Sequence, residues 1–250
     1  YYAVTTVALP KKDKGSQPLD HRLLAIFTSL YRIEAGAWFD ILKPWLRSIL
    51  HLDVMGAIEG TEALDIAWDA QAFIEMALLK GEAAALVSYD FKKFFDSFEH
   101  GFTHKMLLHA GVPAALADLT LHLYSHMRRV VRKGQAVSET FYAFNGFGQG
   151  DIISLLPALI IVSWQFKMID QLHPGIKKGA YLDDRNFRGC IHELIKLDAT
   201  ISKFDKAAGL TTQHDKTEYA LTSEYDKKFL KKTKLNGVTP KCPTAIKLVG

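Results

Sequence analysis

Apolar and polar positions fall into blocks along the chain, and the spacing within each block predicts its element. Residues 4–9 read as a short strand, closed by Pro10 and the basic turn Lys11-Lys12-Asp13-Lys14-Gly15. Apolar residues return over 23–33 and lead into a helix near 35–50. Pro44 is expected to kink or split that helix, because its ring removes an N–H and crowds the preceding turn. Leu64, Trp68, Phe73 and Leu78 lie at roughly helical spacing, with Thr61 as the expected N-cap, Glu62 and Asp65 in the first turn and Gly81 as the stop. Residues 84–90 form a short apolar run that reads as a buried strand with Asp90 at its tip. Helices are expected around 97–109 and 113–127, then a hairpin about Gly134-Gln135 joining 129–133 to 136–144, then a helix over 153–172. Strands at 180–182 and 186–188 flank Asp183-Asp184 as they would flank a tight turn. A helix over 193–208 stops at Gly209, and short strands are expected at 219–222 and 246–249. Helices and short hairpins without regular βαβ alternation point to an α+β fold.

Composition narrows the class. A chain of 250 residues with 48% hydrophobic and 23% charged residues is that of an ordinary globular protein, long enough for one large domain or two joined subdomains. Its 31 Lys and Arg against 27 Asp and Glu leave +4, a mild bias compatible with nucleic acid without demanding it. Cys190 and Cys242 are far apart and in no metal-ligand spacing, so neither a disulfide framework nor a cysteine zinc site is expected, and an intracellular setting is the simpler one. The most apolar run, 152–164, is shorter than the ~20 residues of a membrane span and contains Pro157, so it reads as a buried core helix and no membrane partner is expected. The chain opens on Tyr1 with neither an initiator Met nor a leader pattern, as a segment of a longer protein would.

Three carboxylates carry the candidate chemistry. Asp90 ends a strand, and Asp183 and Asp184 occupy a turn. Hard oxygen ligands on rigid backbone suit Mg²⁺, which takes one or two carboxylates together with phosphates and water. An Asp-Asp pair alone is ordinarily a solvated turn. The order of the surrounding boxes changes that weighing.

Ser88-Tyr89-Asp90-Phe91-Lys92-Lys93-Phe94-Phe95-Asp96-Ser97 resembles motif A of reverse transcriptases, and Gly146-Phe147-Gly148-Gln149-Gly150-Asp151 resembles their motif B. Tyr181-Leu182-Asp183-Asp184 is similar to the YxDD box of motif C. Ala208-Gly209-Leu210-Thr211 with Asp215-Lys216-Thr217-Glu218 is similar to motif D. Leu9-Pro10-Lys11-Lys12 and Arg22 resemble the fingers motifs, and Ile246-Lys247-Leu248-Val249-Gly250 the start of the primer grip. The boxes occur in the family's order over nearly the whole chain, and the motif B box is most like that of non-LTR (LINE-type) retrotransposon enzymes. Leu23, Ile152 and Leu155 stand where the family often has proline, which bears on loop stiffness rather than on the chemical groups.

The resemblance implies a right-hand polymerase palm, a small antiparallel sheet packed on helices, with a fingers subdomain and no thumb in this stretch. Fingers would occupy 1–81 and 101–144, and the palm 82–100 and 145–250, ending at the start of the primer grip. It implies RNA-directed DNA polymerisation, with an RNA template, a DNA primer and dNTPs as partners, two Mg²⁺ ions (or Mn²⁺) as cofactor, and a nuclear location if the retrotransposon likeness holds. Asp90, Asp183 and Asp184 would hold the metals, with Asp184 the weakest of the three, and Lys216 would be the general acid for the departing pyrophosphate. Lys11, Arg22, Phe91, Phe95, Gln149 and Gly150 would contact the nucleotide, Phe95 as a steric gate beneath the sugar, whereas Phe94 and Phe98 are expected to fill core. Two other functions remain open on the residues: an RNA-dependent RNA polymerase, and an inactive nucleic-acid-binding module with a polymerase fold. The i,i+4 pairs His100/His104 and His122/His126 lack a third ligand pattern and read as helix-face histidines. The lysines over 227–234 and the basic residues over 128–133 read as solvated surface with the capacity to follow a phosphate backbone.

Overall fold

The computed structural model describes residues 3–10 and 21–243. Lys11, the expected strand at 246–249 and the primer-grip box lie outside the described residues. The element order is β1 (Ala3–Pro10), β2 (His21–Ile26), α1 (Ser29–Ile49), α2 (Ala63–Lys80), β3 (Ala85–Tyr89), α3 (Phe94–Ser97), α4 (His100–Ala110), α5 (Ala114–His126) and β4 (Arg128–Lys133). There follow β5 (Ala136–Val137), β6 (Phe141–Tyr142), a 3₁₀ turn (Ile152–Ser154), α6 (Leu155–Leu172), β7 (Lys177–Tyr181), β8 (Asp184–Gly189), α7 (Ile191–Ala207), β9 (Glu218–Leu221) and α8 (Glu224–Lys232). The class is α+β, as the sequence pattern implies.

The chain divides into two compact units, 1–49 with 95–157 and 50–94 with 158–250. Compactness thus places α2 with the second unit, whereas the motif-based division assigns it to the fingers.

In the first unit, β1 pairs antiparallel with β2 and parallel with β4, and the short strands β5 and β6 both pair with β4. Helices α4 and α5 pack together beside a core of Phe98, Leu107, Tyr124, Met127 and Phe147, all nearly without solvent exposure. The 146–151 loop lies along β2, where the Ala25 amide donates to the Gln149 carbonyl at 2.8 Å.

The second unit is a four-stranded antiparallel sheet in the order β7-β8-β3-β9. Consecutive residues Ala85, Leu86 and Val87 of β3 are all buried, so both faces of this central strand are covered. Helices α2 and α7 pack on the sheet. Helix α6, with the 3₁₀ turn before it, is long and apolar enough to cross a membrane by length and composition, yet most of it is buried in the fold. It also carries buried polar groups that its neighbours satisfy: the Ser163 hydroxyl accepts from the His51 amide at 2.8 Å, and Gln165 donates to Asp205 at 2.7 Å. Those features belong to a core helix.

Several local expectations change. Helix α1 runs unbroken through Pro44. The carbonyl that proline deprives of a partner belongs to Asp40, on an exposed turn where water can serve it. The cap of α2 is Glu62 rather than Thr61. Glu62 and Asp65 bond each other's backbone in a capping box, whereas the Thr61 hydroxyl donates to the Met55 and Ile58 carbonyls. Gly81 ends α2 in the left-handed conformation (φ 68°), as expected. The helix expected from 97 instead begins at His100, because the Glu99 carboxylate accepts from the Gly101 and Phe102 amides.

Phe187 lies at the centre of the sheet, fully buried and edge-on to Tyr89 and Phe166. Phe187→Ala should lower the unfolding free energy by about 3–5 kcal/mol. Urea unfolding would show it as a lower midpoint with an unchanged slope.

Candidate active site

One end of the second unit's sheet gathers the predicted carboxylates. Register pairs Tyr89 of β3 with Arg185 of β8, so Asp90, the next residue along, arrives beside the start of β8. There Tyr181 pairs with Asp184, leaving Leu182 and Asp183 as a two-residue turn. Leu182 has φ 56° and Asp183 does not share the positive φ, the pattern of a type II′ hairpin turn. Asp90, Asp183 and Asp184 therefore reach the same sheet end from two neighbouring strands.

The loop after α7 is stitched to the same end. The Gln213 amide donates to the Asp90 carbonyl at 2.8 Å, the Lys92 amide donates to the Thr211 carbonyl at 2.8 Å, and Phe91 bridges Thr212. That stitching delivers Lys216, whose Nζ lies 2.8 Å from Asp90 Oδ2. Two residues 126 positions apart, expected in one site, are in contact.

Among the described residues, no three His, Cys, Asp or Glu side chains are gathered closely enough to hold an ion. The donor set nonetheless suits a hard divalent cation, being carboxylate oxygens on adjacent rigid strands. In this structure the Lys216 ammonium supplies the positive charge next to Asp90.

Behind the turn lies a buried polar cluster that the sequence reading did not single out. Arg185, directly after Asp184, has no solvent exposure. Its guanidinium meets Asp205 of α7 through two nitrogens, each at 3.2 Å, and also donates to Gln165 at 2.6 Å and Thr212 at 3.3 Å. The Thr212 hydroxyl donates to Asp205 in turn. The guanidinium lies 3.5 Å from the centroid of the Phe91 ring, whose other neighbour is Phe94, stacked at 4.5 Å. Phe91 is buried, so its side chain belongs to this cluster, and it is the backbone of Phe91 that borders the carboxylates. Phe94 and Phe98 fill core as expected. Strand β8 reads Asp184-Arg185-Asn186-Phe187-Arg188-Gly189, with no apolar run along the chain to mark Arg185 as buried.

A second cluster braces the root of β3. The Tyr89 hydroxyl donates to Asp198 at 2.9 Å, and Asn236 donates to the other Asp198 oxygen at 2.7 Å. Burial pushes the Asp198 carboxyl and the Tyr89 phenol above their ordinary ranges.

In the first unit, Phe95 is half-buried and its carbonyl accepts from the Phe147 amide at 2.8 Å. Gln149 is half-buried, and Gly150 is exposed with φ 104°. The glycines here answer to protein contacts. A Cβ on Gly148 would lie 2.8 Å from the Ala25 side chain, and one on Gly150 would lie 3.0 Å from the Ala25 carbonyl oxygen. Asp151, which the sequence placed in the motif B box without a role, is buried and accepts from the hydroxyls of Tyr31 (2.8 Å) and Tyr124 and from the Ile153 amide (3.2 Å). Burial raises its carboxyl above the usual range, and it pins the loop to α1 and α5. Arg22 is exposed on β2, opposite Leu9.

The histidine pairs lie on helices α4 and α5. His100 bonds the Gly146 carbonyl at 3.0 Å, His104 bonds Asp118 at 2.7 Å, and His122 stacks on His126 at 4.3 Å. Arg129 is likewise engaged, donating to the Gly146 carbonyl at 3.0 Å, while Arg128, Arg132 and Lys133 are exposed. On α8, Lys227 pairs with Glu224 at 2.6 Å, and Lys228, Lys231 and Lys232 are exposed.

A small antiparallel sheet on helices, bearing acidic residues at one end, together with a second sheet-containing unit, is the architecture of a polymerase palm and fingers. Residues 9–239 match the family described as reverse transcriptase (RNA-dependent DNA polymerase), and the chain belongs to that family. Comparison with curated proteins finds no match. Among solved structures, telomerase from Candida tropicalis with the TWJ fragment of telomeric RNA is similar, with a TM-score of 0.62 at 12% identity over 90% of this chain and 41% of that one. The apo C. tropicalis telomerase truncated of its C-terminal domain gives 0.62 at 14% identity over 89% and 51%. Telomerase from Candida albicans with the same kind of RNA fragment gives 0.60 at 11% identity over 89% and 43%. At these identities the likeness establishes the fold. This chain spans 41% and 51% of the length of the two C. tropicalis chains.

The Arg185–Asp205 pair supplies a test. Asp205→Ala leaves a buried guanidinium uncompensated and should cost about 3–5 kcal/mol of stability, measured by denaturant unfolding. A loss below 1 kcal/mol would show that the pair is not the anchor described.

Proposed function

We propose that this chain is the catalytic domain of an RNA-directed DNA polymerase that extends a primer 3′-hydroxyl with dNTPs. The observation that carries the reading is the meeting of Asp90, the Asp183-Asp184 turn and Lys216 at one end of a palm sheet. In the reaction, the primer 3′-oxygen forms a bond to the α-phosphorus, the bond to the β-phosphate oxygen breaks, and pyrophosphate leaves. Asp90, Asp183 and Asp184 would hold the divalent ions, which when bound lower the hydroxyl pKa and shield the leaving charge. Lys216, tethered beside Asp90, is the residue to protonate the departing pyrophosphate. The buried Arg185 cluster anchors the strand directly after the acidic turn, and such pre-organisation favours nucleotidyl transfer to the primer hydroxyl.

Phe95 is assigned as the sugar gate and Gln149, Gly150, Arg22 and Lys11 as nucleotide contacts. Support comes from their places in the motif A, motif B and fingers boxes, from the partial exposure of Phe95 and Gln149, and from the full exposure of Arg22 and Gly150. The Gln149-Gly150-Asp151 box supports a non-LTR retrotransposon origin, with an RNA template, a DNA primer and a nuclear site of action.

Two measurements test this. Mg²⁺-dependent extension of a DNA primer on an RNA template should fall by about 10³-fold or more in Asp183→Asn, whose fold should persist; Asp183 is half-exposed. Retained extension would refute the site. Phe95→Val should raise ribonucleotide use relative to dNTP use by roughly 10- to 100-fold in kcat/KM, since a buried unpaired hydroxyl costs about 1–3 kcal/mol and each 1.4 kcal/mol is tenfold. An unchanged ratio would remove Phe95 from that role.

A further inference from the structure

We propose that Gly56 is a positioning residue for the acidic turn: the loop over 53–58 is a rigid brace that abuts the backbone of Leu182 and sets where Asp183 and Asp184 sit. The role of the turn rests on the polymerase reading above, but the contact itself does not. Gly56 is buried, and its φ lies outside the left-handed region, so its backbone conformation makes no demand for glycine. Space makes that demand. A Cβ on Gly56 would stand 2.5 Å from the Leu182 backbone nitrogen, 2.9 Å from its Cγ and 3.0 Å from its Cδ2. None of the other described glycines has a backbone atom as near, and backbone cannot rotate aside as a side chain can.

What yields under such a clash is decided by how each side is held. The brace is held at every step. The His51 amide donates to Ser163 at 2.8 Å, and the His51 ring bonds Asp170 at 2.6 Å and accepts from the Asp53 amide at 3.1 Å. The Ala180 amide donates to the Asp53 carbonyl and the Met55 amide to the Ala180 carbonyl, each at 2.9 Å, so the loop pairs with the last part of β7. The Thr61 hydroxyl closes the loop onto Met55 and Ile58. The turn, by contrast, is a two-residue tip with Leu182, Asp183 and Asp184 all half-exposed. The turn is the side that gives way. To reach ordinary contact it must retreat by about 1 Å, since non-bonded carbons settle near 3.5–4.0 Å. A displacement of that size at a catalytic group costs on the order of 10²-fold in rate.

The test compares Gly56→Ala with Gly175→Ala, a substitution in the same unit with nothing within 4 Å and no positive φ. Primer-extension kinetics and amide hydrogen exchange over 180–184 are measured on both. Gly56→Ala should lower kcat by about 10²-fold with little change in KM for dNTP and should speed exchange at the turn, whereas Gly175→Ala should match the parent in both. If Gly56→Ala does not fold, Thr61→Val decides instead. It loosens the brace without adding atoms at the contact, and should lower kcat less but in the same way, with faster exchange at 180–184. Parental kcat and exchange in Gly56→Ala, or in Thr61→Val where that variant decides, would overturn the proposal. So would a loss appearing wholly in KM with exchange unaltered. If the parent protein itself extends no primer, the polymerase reading fails, and exchange over 180–184 alone decides the positioning contact.

Discussion

A buried guanidinium organises the second unit. Arg185 has no solvent exposure, and a buried ion is tolerated only when its charge is answered from within. Asp205 answers the charge, Gln165 and Thr212 take further N–H groups, and the Phe91 ring lies against the guanidinium. These partners come from α7, α6, the loop carrying Lys216 and the segment following Asp90. One side chain thus ties together the four segments that the acidic end of the sheet depends on. A comparable hydrophobic core would hold the unit together equally well, but the fork of the guanidinium and the paired carboxylate also define direction.

Steric constraint complements this ionic one. In the first unit, Gly148 and Gly150 let the 146–151 loop lie directly on β2, and the doubly hydroxyl-bonded Asp151 holds it there. In the second, Gly56 lets a pinned loop touch the backbone of the acidic turn. In each case a residue without a side chain marks a close approach between two segments of the same unit, and the loop gains a fixed position from it. Loops held this way differ from ordinary surface loops, which are free to move because few contacts cross them.

Much of this was legible along the chain. The apolar run before Asp90, the strands around Asp183-Asp184 and the stops at Gly81 and Gly209 are local signals, and the structure has each of them. Local competition decided the misses. Thr61 looked like a cap but spends its hydroxyl on the preceding loop, leaving Glu62 and Asp65 to form the box. Pro44 was expected to kink or split its helix; the helix is not split, and Asp40, whose carbonyl the proline leaves without its helical partner, is an exposed residue.

The α+β class was readable along the chain because hydrophobic period and turn chemistry are encoded locally, and the resemblance of the ordered boxes to reverse transcriptase motifs singled out Asp90, Asp183 and Lys216 as candidates. The contact between Asp90 and Lys216 and the burial of the Phe91 side chain became visible only in three dimensions. The same holds for the pairing of Arg185 with Asp205 and the approach of Gly56 to Leu182. Those facts depend on strand register and on which helices pack behind the sheet. A buried charge or an absent Cβ carries no mark in one dimension of the partner that requires it.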